Sequence, residues 1–187
     1  MTDSKITSKV LCAALRRKYQ QAAILSEVTM EDEEEAARYR TYMALHSVYY
    51  KRAFKKKGLS TDAFLPEDYN VKKSVQTRRI DALMFDGQER TAIEIKISRA
   101  DFFRDTPEKR FAWQKHTNRF VYLVPKGLVK PEEVADGCGL WEYENGVITV
   151  TKRARINKNF EEFPSSMMRY FAWRAFAAEQ KIPNYRR

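Results

Sequence analysis

Cysteine and histidine are scarce in this chain of 187 residues, with two of each. Cys12 and Cys138 stand alone, which excludes a disulfide scaffold and a four-cysteine iron–sulfur or zinc site. His46 and His116 give little support to a histidine metal centre or a Ser/His/Asp triad; His116 is expected at the surface or an interface. The six glycines form neither a phosphate-cradling loop ending in Gly-Lys-Ser/Thr nor a dinucleotide fingerprint, so ATP-driven and hydride-transfer chemistry are set aside. No apolar run approaches the ~20 residues of a membrane helix. The N-terminus is polar and lacks a signal-peptide pattern, and the reading is a protein of a reducing cytoplasm with no membrane partner.

What is present belongs to a globular chain. Hydrophobic residues make up 43% and aromatics 13%, and the length suits one domain carrying a substantial insertion. Net charge is +10, and its placement matters more than its size. Residues 51–79 hold nine Lys/Arg against three Asp/Glu, residues 152–187 repeat that count, and all other residues sum to −2. Two concentrated basic segments fit tracking of a phosphate backbone, and they also fit a solvated basic surface.

The richest stretch runs from Arg78 to Asp105. Ile80 to Phe85 reads as a strand containing Asp81, and Asp86-Gly87 supplies a tight hairpin turn. Thr91 to Ile97 reads as the returning strand. Its alternation puts Ile93, Ile95 and Ile97 on one face and Glu94 and Lys96 on the other. Hard divalent cations take oxygen ligands, commonly one or two carboxylates with waters and phosphate completing the shell. Asp81 and Glu94 can supply those carboxylates, and Lys96 can hold an attacking water or stabilise charge growing on a phosphate. That set suits phosphodiester hydrolysis with Mg²⁺ or Mn²⁺.

Asp81 followed by Glu94-Ile95-Lys96 on the next strand resembles the PD-(D/E)xK nuclease superfamily, although Ile80 stands where the proline of that name would be. More narrowly, Arg79-Ile80-Asp81, Glu94-Ile95-Lys96, Ser98-Arg99-Ala100-Asp101-Phe102, Asn118-Arg119-Phe120, Val124-Pro125 and Gly139-Leu140 look like the MmcB-like DNA repair proteins. The likeness covers about residues 5–30 and 78–150. It implies an α/β fold: a restriction-endonuclease-like mixed sheet flanked by helices, with a helical insertion between the first two strands and a C-terminal helix. On that reading residues 1–187 form a single domain, with a core at about 5–30 and 78–152, an insertion at 31–77 and a helical extension at 153–187. The implied activity is metal-dependent cleavage of DNA, with an endonuclease of repair, recombination or phage DNA metabolism favoured. The implied setting is the nucleoid of a bacterial or phage-infected cytoplasm.

In chain order, residues 5–21 read as an amphipathic helix and Ala23 to Met30 as the first strand. Glu27 on that strand occupies a position where relatives often carry an acid, which makes it a third candidate metal ligand; an ordinary exposed glutamate is the other reading. Glu31 to Glu35 read as the acidic first turns of a helix bearing several tyrosines. That helix ends in Lys51, Arg52, Lys55, Lys56 and Lys57, which suit either a helix C-terminus or a DNA-facing edge. Arg78, Arg79 and Arg99 are further candidates for phosphate.

Ser98 and Asp101 have capping-box spacing, so a helix starts there, and Pro107 restarts it. Asp101 has this structural role, and its match to the family motif also makes it an accessory candidate for orienting Lys96 or Arg99; Gln114 is a second accessory candidate because some superfamily relatives place a glutamine on this helix near the metal, an exposed helical Gln being the other reading. Phe120–Val124, Gly139–Tyr143 and Val147–Lys152 read as strands, the last two joined through Asn145-Gly146. Pro164–Lys181 reads as a helix with an apolar stripe of Met167, Met168, Phe171, Ala172, Ala175 and Phe176, packing on the domain or making a homodimer. The rival to the nuclease is a nuclease-fold module that binds DNA or a protein without cutting.

Overall fold

The computed structural model describes residues 6–31, 37, 41, 44, 52, 55–58 and 77–180. Of the expected acidic turns at 31–35, Glu31 instead ends a strand, and 32–35 lie outside the described residues, as do most of the tyrosine-bearing helix including Lys51 and His46 and the loop before residue 77. The chain divides into two compact units, one of Met1–Thr29 with Arg79–Arg187 and one of Met30–Arg78. The second covers the stretch read above as an insertion. Within it Ala37, Thr41, Ala44, Arg52, Lys55 and Lys56 are helical, and Gly58 turns left-handed at φ 67°. A glycine there suits a helix end, because only glycine meets no Cβ penalty at that φ.

The first unit is a mixed α/β structure around a six-stranded open sheet in the order β1-β2-β3-β4-β5-β6. The strands are β1 (Ala23–Glu31), β2 (Thr77–Asp86), β3 (Glu89–Ile95), β4 (Arg119–Pro125), β5 (Gly139–Glu144) and β6 (Val147–Lys152). The helices are α1 (Ser8–Lys18), α2 (Arg99–Phe103), α3 (Pro107–Gln114) and α4 (Ser165–Glu179). β2 and β3 pair antiparallel, β3–β4 and β4–β5 parallel, and β5–β6 antiparallel. The antiparallel hairpins use the two expected turns: Gly87 has φ 57°, and Asn145 and Gly146 both have positive φ. The parallel β3–β4 pair needs a crossover, and α2 and α3 supply it.

Burial follows the strand period. Ala82 and Met84 of β2, Ile93 and Ile95 of β3, and Val121 and Leu123 of β4 meet Leu11, Ala14 and Leu15 of α1 in one core. Each fully buried Leu or Ile contributes on the order of 1.5–3 kcal/mol, so this layer fixes the register of β3. Gly139 on β5 is needed for close packing, since a Cβ there would stand 3.0 Å from the Ala154 nitrogen.

Three sequence expectations are corrected. Ile97 does not continue the apolar face of β3, because the strand ends at Ile95 and the chain turns out, leaving Ile97 44% exposed. His116 is buried, not superficial. Its Nδ1 faces the carbonyl oxygens of Glu161 and Glu162 at 3.4 and 3.0 Å, and its ring stacks on Phe163. The expected α4 stripe is split: Met167 is buried and Phe171 half-buried, while Met168, Ala172, Ala175 and Phe176 are exposed. The helix is rolled so that Phe171 meets Phe85 and Phe163, and Arg174 donates to the Ser26 carbonyl at 2.6 Å.

Candidate active site

The C-terminal end of β3 carries a buried charge cluster. Alternation from the core residues Ile93 and Ile95 turns Glu94 away from α1, toward the side where α3 lies. Its side chain is 4% exposed. Glu94 Oε1 forms an ion pair with Lys96 at 3.0 Å and accepts a hydrogen bond from Lys109 of α3, while Oε2 is buried with no hydrogen-bond partner. Lys96 is fixed from two directions. Its backbone N–H donates to the Leu123 carbonyl at 3.1 Å, and its ammonium lies 3.7 Å from Asp101 and 3.8 Å from Asp105.

Asp81 stands beside this cluster. The β2–β3 ladder runs from Asp86↔Glu89 to Ala82↔Ile93, and Asp81 lies one residue beyond. There its Oδ2 accepts the Ile95 N–H at 2.8 Å, a side chain taking a backbone donor at the ladder's end. Its charge acts on Glu94. Burial, and next Asp81, push the Glu94 pKa above the usual carboxylate range against the opposing pull of Lys109 and Lys96. For Lys96, burial alone would depress the pKa, but Glu94, Asp105 and Asp101 together push it up, so its ammonium stays charged.

Two residues the sequence reading passed over complete the cluster. Asp105, in the junction between α2 and α3, has a side chain 2% exposed. Its Oδ2 accepts from the Tyr122 hydroxyl at 2.5 Å and Arg110 at 3.4 Å, and burial and then this carboxylate raise the tyrosine pKa. Its Oδ1 is buried without a hydrogen bond, 3.7 Å from Lys109. Lys109 was hidden because it is an ordinary charged position of a helix. The available signal was its place in the first turn after Thr106-Pro107, where the Thr106 cap orients it.

The other candidates are placed differently. Glu27 is exposed on β1 with a left-handed backbone, φ 50°, outside the buried cluster. Asp101 is half-buried and links Lys96 with Arg104, and its N–H caps onto Ser98 Oγ at 3.2 Å. Gln114 donates to the Cys138 sulfur at 3.5 Å and is not brought to the carboxylates. Arg99 is occupied: it forms two bonds to Glu133, at 3.1 and 2.6 Å, and one to the Leu128 carbonyl. Arg99 holds the Glu133 carboxyl down at about 2. Arg79 is exposed and Arg78 half-buried at the start of β2; Arg52, Lys55, Lys56 and Lys57 are exposed in the second unit.

Among the described residues no group of three or more His, Cys, Asp or Glu side chains is arranged to hold a metal. Two carboxylates suffice for magnesium when waters and phosphate complete the octahedron. Asp81 and Glu94 are neighbouring carboxylates, and Glu94 keeps one buried oxygen without a hydrogen-bond partner, so these two residues are the ones that would hold such an ion. Among the described residues no helix is long and apolar enough to cross a membrane.

No protein-family profile matches the chain, and no curated protein matches it. Among solved structures it is similar to a Silicibacter pomeroyi protein of unknown function, SPO1766, at 20% identity and a TM-score of 0.42, over 57% of this chain and 75% of that one.

Proposed function

We propose that this chain is a metal-dependent nuclease of restriction-endonuclease-like architecture that hydrolyses DNA phosphodiester bonds. The observation that carries this reading is Glu94. A buried carboxylate with one oxygen unpartnered, beside a second carboxylate and two residues before a buried lysine, is costly to fold without a ligand. The order of helix, β1, β2, β3, crossover helices and β4, with the acids on the β2–β3 hairpin, supports the same reading.

Asp81 and Glu94 would hold a Mg²⁺ or Mn²⁺ ion, which when bound lowers the pKa of a water and offsets charge on the phosphate. The remaining work falls to the chain. Lys96, kept protonated by Glu94, Asp105 and Asp101, supplies a fixed positive charge for a phosphate oxygen and can orient the water. Burial strengthens that interaction by excluding solvent. Arg79, exposed at the start of β2 in the same unit, would supply charge for the phosphate backbone.

The test is incubation of labelled linear, circular, single-stranded and branched DNAs with Mg²⁺, Mn²⁺ or EDTA, comparing wild type with Lys96→Ala. Metal-dependent cutting that the variant loses is the expected result. Tight, salt-sensitive binding without cutting would overturn the nuclease and leave a DNA-binding module.

A further inference from the structure

The residue that most directly occupies Glu94 is not Lys96, just past the strand's end, but Lys109, reaching over from α3. Lys109 is more accessible than the groups it touches: its side chain is 26% exposed, against 4% for Glu94 and 2% for Asp105. A cation is therefore already seated on a carboxylate proposed to bind metal, and it is attached by a flexible stem entering from the solvent side. A second carboxylate waits beside it. Asp105 Oδ1 lies 3.7 Å from the Lys109 ammonium, is buried, and has no hydrogen-bond partner. Asp105 itself cannot follow the lysine, because Tyr122 and Arg110 hold its other oxygen.

We infer that Lys109 is a placeholder cation, seated on Glu94 in the metal-free protein and transferred to Asp105 when a divalent ion takes the Glu94 carboxylate. The inference rests on the nuclease reading only in needing Asp81 and Glu94 to bind metal. Three features of the geometry support it. Without Lys109, the buried Glu94 would face Asp81 with Lys96 as its remaining countercharge. With a divalent ion and Lys109 both on Glu94, like charges would crowd one carboxylate. Asp105 resolves the conflict, because closing the existing 3.7 Å ion pair to hydrogen-bond distance keeps the ammonium partnered and satisfies a bare oxygen. A lysine is suited to this exchange, being a compact charge on a rotatable stem, whereas an arginine fork is geometrically committed.

The test is calorimetric titration of the full, EDTA-stripped protein with Mn²⁺, for wild type, Lys109→Met, Lys109→Gln and Arg104→Met, with folding checked by circular dichroism. Arg104 is itself exposed, pairs with half-buried Asp101, and so reports the general effect of deleting a nearby positive charge. Removing a competing charge-assisted hydrogen bond should tighten Mn²⁺ binding about tenfold in either Lys109 variant, and the Arg104 variant should change it by less than about twofold. Asp105→Asn should weaken binding in the wild-type background and have little effect once Lys109 is Met, a non-additivity that general destabilisation would not produce. If wild type binds Mn²⁺ and the Lys109 variants bind no tighter than Arg104→Met, the placeholder is wrong and the metal site stands. If wild type binds no Mn²⁺, both readings fall.

Discussion

Two buried polar clusters sit at opposite ends of the parallel β3–β4 pair, and they are finished differently. At the start of the strands, Asn118 binds Arg90 in both directions: its Oδ1 accepts the Arg90 N–H at 2.8 Å, and its own N–H donates to the Arg90 carbonyl at 2.9 Å. Thr117 donates to the Trp113 carbonyl, Asn157 donates to Gln114, and the Asn118 carbonyl receives the Asn157 N–H at 2.8 Å. The Arg90 guanidinium lies over Phe160 and Phe163 and pairs with Glu162, although its Nη1 lacks a hydrogen bond. These partners are mostly backbone, so the cluster ties the 153–164 segment to the sheet. At the far end, Glu94 and Asp105 keep carboxylate oxygens bare among lysines. A polar cluster closed by main-chain partners serves the fold, and the proposed function turns on the one left open with formal charge.

The largest effects should separate the two ends. Asp81→Asn and Glu94→Gln preserve shape, and the Asn side-chain oxygen can still accept the Ile95 N–H, so both variants should fold. Each should lose DNA cleavage by at least two to three orders of magnitude, the usual scale for removing one electrostatic group from a reacting centre. Gel assays of both purified variants check this. Retained cleavage in both would show that the open cluster is as structural as the closed one.

Asn118→Ala should do the reverse. It removes an acceptor from the Arg90 N–H and a donor to the Asn157 carbonyl at a site 8% exposed. A loss of roughly 1–3 kcal/mol is expected in urea denaturation, the cost of stranding buried partners. Cleavage per folded molecule should be unchanged. A selective loss of activity at unchanged stability would mean that the Asn118 end also belongs to the chemistry.

The pH dependence of stability sharpens the contrast further. The Glu94 pKa is raised in the folded protein, chiefly by burial and then by Asp81. Between the ordinary glutamate value and that raised value the native state holds the extra proton, so stability falls as pH rises through the window. Above it Glu94 is ionised in both states and the full cost is present. Denaturant midpoints measured from pH 4 to 8 should therefore lose this descending contribution in Glu94→Gln. An unchanged slope would mean that Lys109 and Lys96 fully compensate the carboxylate.

Much of this was legible in the chain. Asp86-Gly87 and Asn145-Gly146 announce their turns because few other residue pairs accept positive φ, and Ile93 and Ile95 reveal the buried face that sends Glu94 to the other side. The adjacency of Asp81 and Glu94 was readable because strand alternation makes spacing equivalent to geometry, while Lys96, just past the end of β3, is placed by its N–H bond to the Leu123 carbonyl. Lys109 and Asp105 were not, since their meeting with Glu94 depends on how the α2–α3 junction folds back over β3, a tertiary fact with no sequence period. His116 misled for the same reason: its burial comes from Phe163, 47 residues away. The α4 stripe misled because apolar residues surround much of that helix, and the ring cluster of Phe85, Phe163 and Phe171, with the Arg174 bond to Ser26, marks which side packs.

The smallest expected effect lies where the open cluster borders a closed one. Tyr122 donates to Asp105 while its ring packs edge-on against Phe102 and Phe120, with centroids 4.9 and 5.4 Å away. Tyr122→Phe keeps those ring contacts and deletes only the hydroxyl, leaving Arg110 at 3.4 Å as the remaining donor to Asp105 Oδ2. A loss of about 1 kcal/mol in urea denaturation should follow, at the low end for a hydrogen bond to a charged group because Arg110 can close in. If the loss instead equals or exceeds that of Asn118→Ala, the Tyr122–Asp105 bond is a structural anchor comparable with the Asn118 end. The boundary between framework and ligand-ready charge would then run through Asp105 itself, between its two oxygens.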